Sequence, residues 1–206
     1  MKQAIINLTH PVVIQNEQRL HQLIDNVFED YSKVLAVRLD FYIKEDSSEF
    51  NTYAFMSDMF IRLCNNRRYN PIFEHYITYA ASLEYGQDRK WHYHVLFLFD
   101  GQQKQNGCFL AQQIGQYWID VITRGIGDYN SPNIRPSRYN NFALGVIEHN
   151  DAIAIHNLKA VSSYLVKADK GLQHLPDSEL GKSYRTYRQG QYKPKQSNLG
   201  RPRASS

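Results

Sequence analysis

Hydrophobic residues along the chain fall into two periods, and these mark out its elements. In 15–32, Leu20, Leu23, Ile24, Val27, Phe28 and Tyr31 recur at three- and four-residue spacings, the stripe of an amphipathic helix. VLAVRLDFYI (34–43) alternates strictly from Val37 to Tyr42 and predicts a strand. A second helix is predicted over 49–68, with Phe50, Tyr53, Ala54, Met56, Phe60, Ile61 and Cys64 as its apolar stripe. Two strands follow, 75–85 and 91–99, joined by the polar turn Gly86–Lys90 and stopped at Asp100–Gly101. Beyond them lie a helix over 108–123, a Pro/Asn/Arg loop over 125–141 and a strand over 142–148. The last helix is predicted over 156–169, with Leu158, Val161, Leu165 and Val166 facing inward.

After the leading helix the order is therefore β-α-β-β-α-β and a final helix. This predicts an α+β fold, a ferredoxin-like split βαβ arrangement whose antiparallel sheet carries its crossover helices on one face. The opposite face is then expected to be left for ligands. No internal repeat interrupts the pattern.

Charge divides the chain unevenly. The net charge is +4, yet residues 181–206 hold seven Lys or Arg and no Asp or Glu, so the rest carries a net −3. We expect one domain over 1–180 and a flexible basic tail over 181–206. In that tail Tyr184, Tyr187 and Tyr192 are candidate base-stacking residues. Cys64 and Cys108 are isolated, which argues against a disulfide framework and a thiolate metal site and fits a reducing cytoplasm. No apolar run approaches the roughly 20 residues of a membrane span. Met1 to His10 has one lysine and no extended apolar stretch, so no secretory signal is expected.

The chemistry concentrates in SLEYGQDRKWHYHVLFLFDG (82–101). On a strand, His92 and His94 share one face with Leu96 and Leu98. A hairpin centred near Asp88 places Glu84 opposite His92, pointing the same way. Alone, a His-x-His pair is a weak signal; a carboxylate in register strengthens it. Oxygen ligands and water suit Mg²⁺ or Mn²⁺, imidazole widens the choice to softer metals, and a three-ligand site leaves positions open for a phosphate oxygen. Downstream, Tyr164 and Lys167 lie three apart on a predicted helix, a phenol able to attack a phosphodiester beside a cation able to stabilise it. Spacing alone does not single out Tyr164 among fifteen tyrosines.

Three segments carry a resemblance. The strand VRLDFYI, His92-Tyr93-His94 followed by VLFLF, and the helix bearing Tyr164-Leu165-Val166-Lys167 occur in the order of the motifs of HUH rolling-circle replication initiators. HYHVLFLFDG and YLVKADK look most like the prophage and inovirus replication-protein group, which includes the YagK/YfjJ C-terminal domain proteins. The resemblance spans residues 34 to 170. It implies an HUH nuclease fold, His92, His94 and Glu84 as metal ligands, Tyr164 as nucleophile and Lys167 as its supporting cation. No second tyrosine lies one helical turn from Tyr164, so the chain resembles the single-tyrosine class.

The implied activity is metal-dependent nicking and rejoining of single-stranded DNA through a 5′-phosphotyrosine, initiating rolling-circle replication in a bacterial cytoplasm. With no Walker A motif, unwinding and synthesis would fall to a host helicase and polymerase. Arg38, Asp40 and Tyr42, alternating on the first strand, are candidate DNA contacts, as are Arg89, Lys90, Arg135, Arg138 and Lys159. Asp40 and Glu148 are also reserve ligands. Alternatives are a transposase or relaxase with the same chemistry, a metal-dependent hydrolase using water, or a non-catalytic single-strand-binding protein.

Overall fold

The computed structural model describes residues 11–138, 143–168 and 170–194. Its elements are α1 (Pro11–Asp30), β1 (Lys33–Ile43), α2 (Tyr53–Asn66), β2 (Tyr76–Gly86), β3 (Lys90–Asp100) and α3 (Gly107–Tyr117). They are followed by β4 (Gly127–Asn130), β5 (Gly145–Glu148), α4 (Ala152–Ser162) and β6 (Tyr187–Gln189). The fold is α+β, and its six strands form one antiparallel sheet in the order β4-β1-β3-β2-β6, with β5 also pairing with β1.

The three long strands form where alternation predicts them. Two short ones do not. β4 lies inside the predicted Pro/Asn/Arg loop, and β6 lies inside the predicted flexible tail, where it pairs with Ala80–Ser82 of β2. The tail is therefore part of the sheet through Gln189, and Tyr192 bonds Asp30 of α1. Tyr187 packs against the core and Tyr184 sits among Tyr53 and Trp91, so these are not free stacking platforms. The fourth predicted strand begins three residues late, at Gly145.

β4 and β5 share one edge of β1, and between them the ladder is broken. Side chains close the gap. Asn133 Oδ1 accepts from Arg38 N at 2.9 Å and its Nδ2 donates to the Ala36 carbonyl at 3.1 Å. Ser131 Oγ donates to the Arg38 carbonyl at 2.5 Å. Backbone groups that would otherwise be buried without partners are thus satisfied.

Both faces of the sheet carry helices, which corrects the expected one-sided arrangement. Odd-numbered residues of β1 and β3 (Leu35, Val37, Leu39, Phe41; Tyr93, Val95, Phe97, Phe99) pack against α2 and α3 around Phe60, Ile114 and Trp118. On the other face, Val34, Ala36, Ala80, Leu96 and Leu98 pack beneath α1 and α4 through Leu20, Ile24, Val27, Leu158 and Leu165. Along this second face each long strand changes character midway. Even positions turn from apolar to Arg38, Asp40 and Tyr42 on β1, to His94 and His92 on β3, and to Ser82 and Glu84 on β2. The helices cover only the apolar half, because only there does covering the sheet bury hydrocarbon. The polar half is the candidate site. Among the described residues, no helix is long and apolar enough to cross a membrane.

Candidate metal and tyrosine site

The β2–β3 hairpin sets the centre of the site. Glu84 pairs with His92 and Ser82 with His94, while Asp40 of β1 pairs with His94 from the other side. The expected register holds. Asn51, at the entry to α2, pins the hairpin tip by donating to the Arg89 carbonyl and accepting from Trp91 N, both at 3.0 Å. Lys90 turns the chain in a left-handed conformation (φ 52°).

Both imidazoles are oriented through Nδ1. His92 Nδ1 lies 2.9 Å from the Lys90 carbonyl, and His94 Nδ1 lies 2.6 Å from Asp40 Oδ1. A carbonyl and a carboxylate can only accept, so each Nδ1 is assigned the proton. Arg38 also approaches His94 Nδ1, at 3.2 Å, but the shorter contact to Asp40 takes the single in-plane position. The guanidinium acts instead on Asp40, 3.3 Å from its Nε. Burial alone would push the Asp40 carboxyl up. The His94 hydrogen bond and the Arg38 charge outweigh it and hold Asp40 far below the usual carboxylate range. Burial and the neighbouring His94 push His92 down, which favours neutral imidazole.

What remains are two Nε2 atoms. His94 Nε2 is buried and has no hydrogen-bond partner. Ligand atoms of Glu84, His92 and His94 lie within 4.8 Å of one another. A buried lone pair aimed at a second imidazole and a carboxylate fits a metal ligand whose other nitrogen is held by a carboxylate or carbonyl. The donor set fits a divalent cation.

α4 delivers the tyrosine. Asp151 caps its start through Ala154 N, and the α-helix ends at Ser162, shorter than predicted. Ser163–Val166 then tightens into a 3₁₀ turn, burying Leu165 and Val166 while Tyr164 faces the site; Val161 is half-buried. Lys167 is not on the helix, since its backbone is already extended (φ −52°, ψ 148°). Its Nζ nevertheless lies 2.7 Å from the Tyr164 hydroxyl and 2.7 Å from Glu84 Oε2. The Tyr164 hydroxyl donates to Glu84 Oε2 at 3.2 Å, and its ring meets His94 edge-on at 5.3 Å. Burial and the Glu84 carboxylate raise the phenol above its usual value, and Lys167 opposes them. Burial works against the Lys167 ammonium, but Glu84 more than offsets it and raises Lys167.

Two site residues carry no signal in the sequence. Lys170, buried, donates to Ser82 Oγ at 2.7 Å and to the Leu165 carbonyl at 2.8 Å. Ser82 in turn donates to Glu84 Oε1 at 3.0 Å. Oε1 is thereby occupied, and Oε2 is the oxygen turned toward Tyr164 and His94. Gly171 makes this possible, because a Cβ there would stand 1.7 Å from the Tyr85 carbonyl oxygen. Only glycine lets the chain fold back so closely at φ 70°. Despite burial, Lys170, Lys167 and His94 hold the Glu84 carboxyl below its usual value.

The remaining candidates divide. Arg38 stands over the Tyr164 ring at 5.5 Å and Arg89 over the Tyr42 ring at 4.4 Å, both bordering the Glu84–His92–His94 cluster. Tyr42 donates to Asp128 of β4 at 3.2 Å. Asp40 is buried against His94 and has no surface for DNA, nor is it in the ligand cluster. Lys90 is exposed beside the Tyr85 ring, and Arg135 is exposed after Asn133. Lys159 pairs with Asp25 of α1, a bond between helices. Glu148 pairs with Lys33 at 2.9 Å. Arg138 ends the turn Pro136–Arg138, and its side chain lies outside the described residues.

The YagK/YfjJ C-terminal domain model matches residues 1–183. The chain belongs to that family. No curated protein and no solved structure matches it. The matched span contains every residue of the ligand cluster together with Tyr164, Lys167 and Lys170. It stops before β6, so the strand that closes this family member's sheet lies beyond it.

Proposed function

We propose that this protein is a single-tyrosine HUH endonuclease that nicks and rejoins single-stranded DNA, as a replication initiator does. One observation carries the reading: the Tyr164 hydroxyl shares Glu84 Oε2 with Lys167 beside two imidazoles whose Nε2 atoms are left for a metal. The strand order β4-β1-β3-β2, with α2 and α3 on one face, supports a ferredoxin-like core of the HUH kind.

Glu84, His92 and His94 would hold a divalent cation, Mn²⁺ or Mg²⁺, which when bound supplies Lewis-acid polarisation of a phosphate oxygen. The side chains do the rest. Arg38 and Arg89 border the site and attract the phosphodiester. Tyr164 Oη attacks phosphorus, the bond to the 3′-oxygen breaks, and DNA is left with a free 3′-OH and a 5′-phosphotyrosine. Net, the phenolic proton ends on the leaving 3′-oxygen, and Glu84 Oε2 is the acceptor nearest to its start. Because the phenol is raised and the carboxyl lowered, full transfer to Glu84 before attack is steeply uphill. Deprotonation therefore accompanies attack, with Lys167 donating to the oxygen as charge develops on it. A new 3′-OH reverses the steps and rejoins the strand.

Incubation with a randomised single-stranded oligonucleotide library and Mn²⁺ should give a covalent protein–DNA band on a denaturing gel. Tyr164→Phe should remove the band and leave DNA binding nearly intact. A band that persisted in the variant would refute the assignment. Cleavage without any adduct would point to water as nucleophile.

A further inference from the structure

The site does not end at Lys167. On its far side begin three adjoining depressions of about 190, 540 and 460 Å³. Asn16 and Tyr187 line both the first and the second, and Arg19 and Gln189 both the second and the third. They form one groove between α1 and the chain segment that contains β6. The α1 wall is a single helical stripe, Val13, Asn16, Arg19, Leu23 and Asn26, spaced at three or four residues. From Val13 to Asn26 this stripe rises about 20 Å.

The charge along it has one sign. Among the described residues, no aspartate or glutamate lines any of the three depressions. Of the neighbouring carboxylates of α1, Asp25 pairs with Lys159, and Asp30 accepts from the hydroxyl of Tyr192, a residue that lines the third depression. Arg19, Arg185 and Lys193 line the groove, are exposed, and form no ion pair within the described residues. Arg188 turns the other way and donates to Ser57 Oγ at 2.8 Å. The remaining polar wall is amide and hydroxyl, including Asn16, Gln22 and Gln189, groups that serve a phosphate or a base edge equally. A surface that is cationic, has no lining carboxylate and begins at Lys167, whose Nζ bonds the Tyr164 hydroxyl, matches a polyanion.

We propose that this groove holds the backbone of the single-stranded DNA flanking the scissile phosphate, leading it from Lys167 past Arg19 and Arg185 to Lys193. It has room for about six stacked nucleotides at roughly 3.4 Å each, and fewer if the strand is extended. The proposal rests on the nicking function above. It adds a track outside the sheet face, built partly from β6, which lies beyond the family match.

The test uses the full chain carrying Tyr164→Phe, so that binding is read without cleavage. Binding of a short oligonucleotide centred on the nick, and of versions extended by about six nucleotides on either flank, is titrated against salt. Extension on one flank should tighten binding. The triple substitution Arg19→Gln, Arg185→Gln, Lys193→Gln should abolish that gain. It should also make the slope of log K against log salt shallower by about 2, at roughly 0.7 per phosphate contact on a single strand. Neutralising three cations outside the groove, Arg68, Lys104 and Arg124, should leave the flank gain in place. A gain that survives the groove substitutions, or is lost equally in the control, overturns the track. No binding of the short oligonucleotide would instead overturn the nicking function itself.

Discussion

At the scale of single residues, the site depends on side chains that lie behind the Glu84–His92–His94 cluster and orient it. Asp40 is buried, ionised and 2.6 Å from His94 Nδ1, and through that bond it decides which nitrogen faces the other ligands. Asp40→Ala would leave His94 free to rotate or to change tautomer. Loss of such an orienting partner costs about 10–100-fold in metal affinity. Calorimetric titration with Mn²⁺ should show that loss for Asp40→Ala and a smaller one for Asp40→Asn, which keeps an acceptor oxygen. An unchanged affinity in Asp40→Ala would mean that packing alone orients the ring. The Glu84–His92–His94 cluster was legible in the sequence because strand alternation and a five-residue turn determine both face and register. Asp40 was read from the sequence as a DNA contact and a reserve ligand, not as the partner that orients His94. Its role depends on β1 lying beside β3, and no local pattern encodes that neighbour. Lys170 was hidden for the same reason, since its reach to Ser82 depends on the left-handed turn at Gly171.

At the scale of elements, the interrupted edge of β1 is the clearest case of side chains standing in for a strand. Asn133 satisfies Arg38 N and the Ala36 carbonyl in the gap between β4 and β5, next to the residues that flank His94. Asn133→Ala would strand two buried backbone groups, at about 1–3 kcal/mol each. Urea unfolding should show a destabilisation of about 2–6 kcal/mol with an unchanged slope. A loss below about 0.5 kcal/mol would mean that water replaces both bonds. Elements of this kind explain where sequence reading stops. β4 has four residues and β6 three, too few for a period to emerge, and both lie in Pro-, Asn- or Arg-rich stretches that read as loop or tail. The long strands had no such handicap. The second layer of helices was readable in principle, since apolar residues on the even-numbered face of β1 and β3 give way to polar ones halfway along.

At the scale of the whole molecule, the same site makes stability depend on pH in a direction that can be derived. Asp40 and Glu84 have carboxyls lowered in the fold, so their contribution is complete above their unfolded values near pH 4 and is lost as pH falls through the folded ones. His92 is also lowered. The unfolded chain gains a proton below about pH 6.5 that folded His92 resists, so stability declines from there downward. Buried phenols act at the other end. Tyr93 is pushed up to about 12 and Tyr164 is raised, so the unfolded chain ionises first, near pH 10, and stability falls above it. The thermal midpoint of metal-free protein should therefore form a plateau between about pH 6.5 and 10, with a shallow decline beginning on the acid side and a steeper one below about pH 4. His92→Gln should remove the shallow decline and keep the steep one, because glutamine cannot take up the proton. A decline near pH 6 that is unchanged in His92→Gln would assign it to one of the other seven histidines of the eight in the chain.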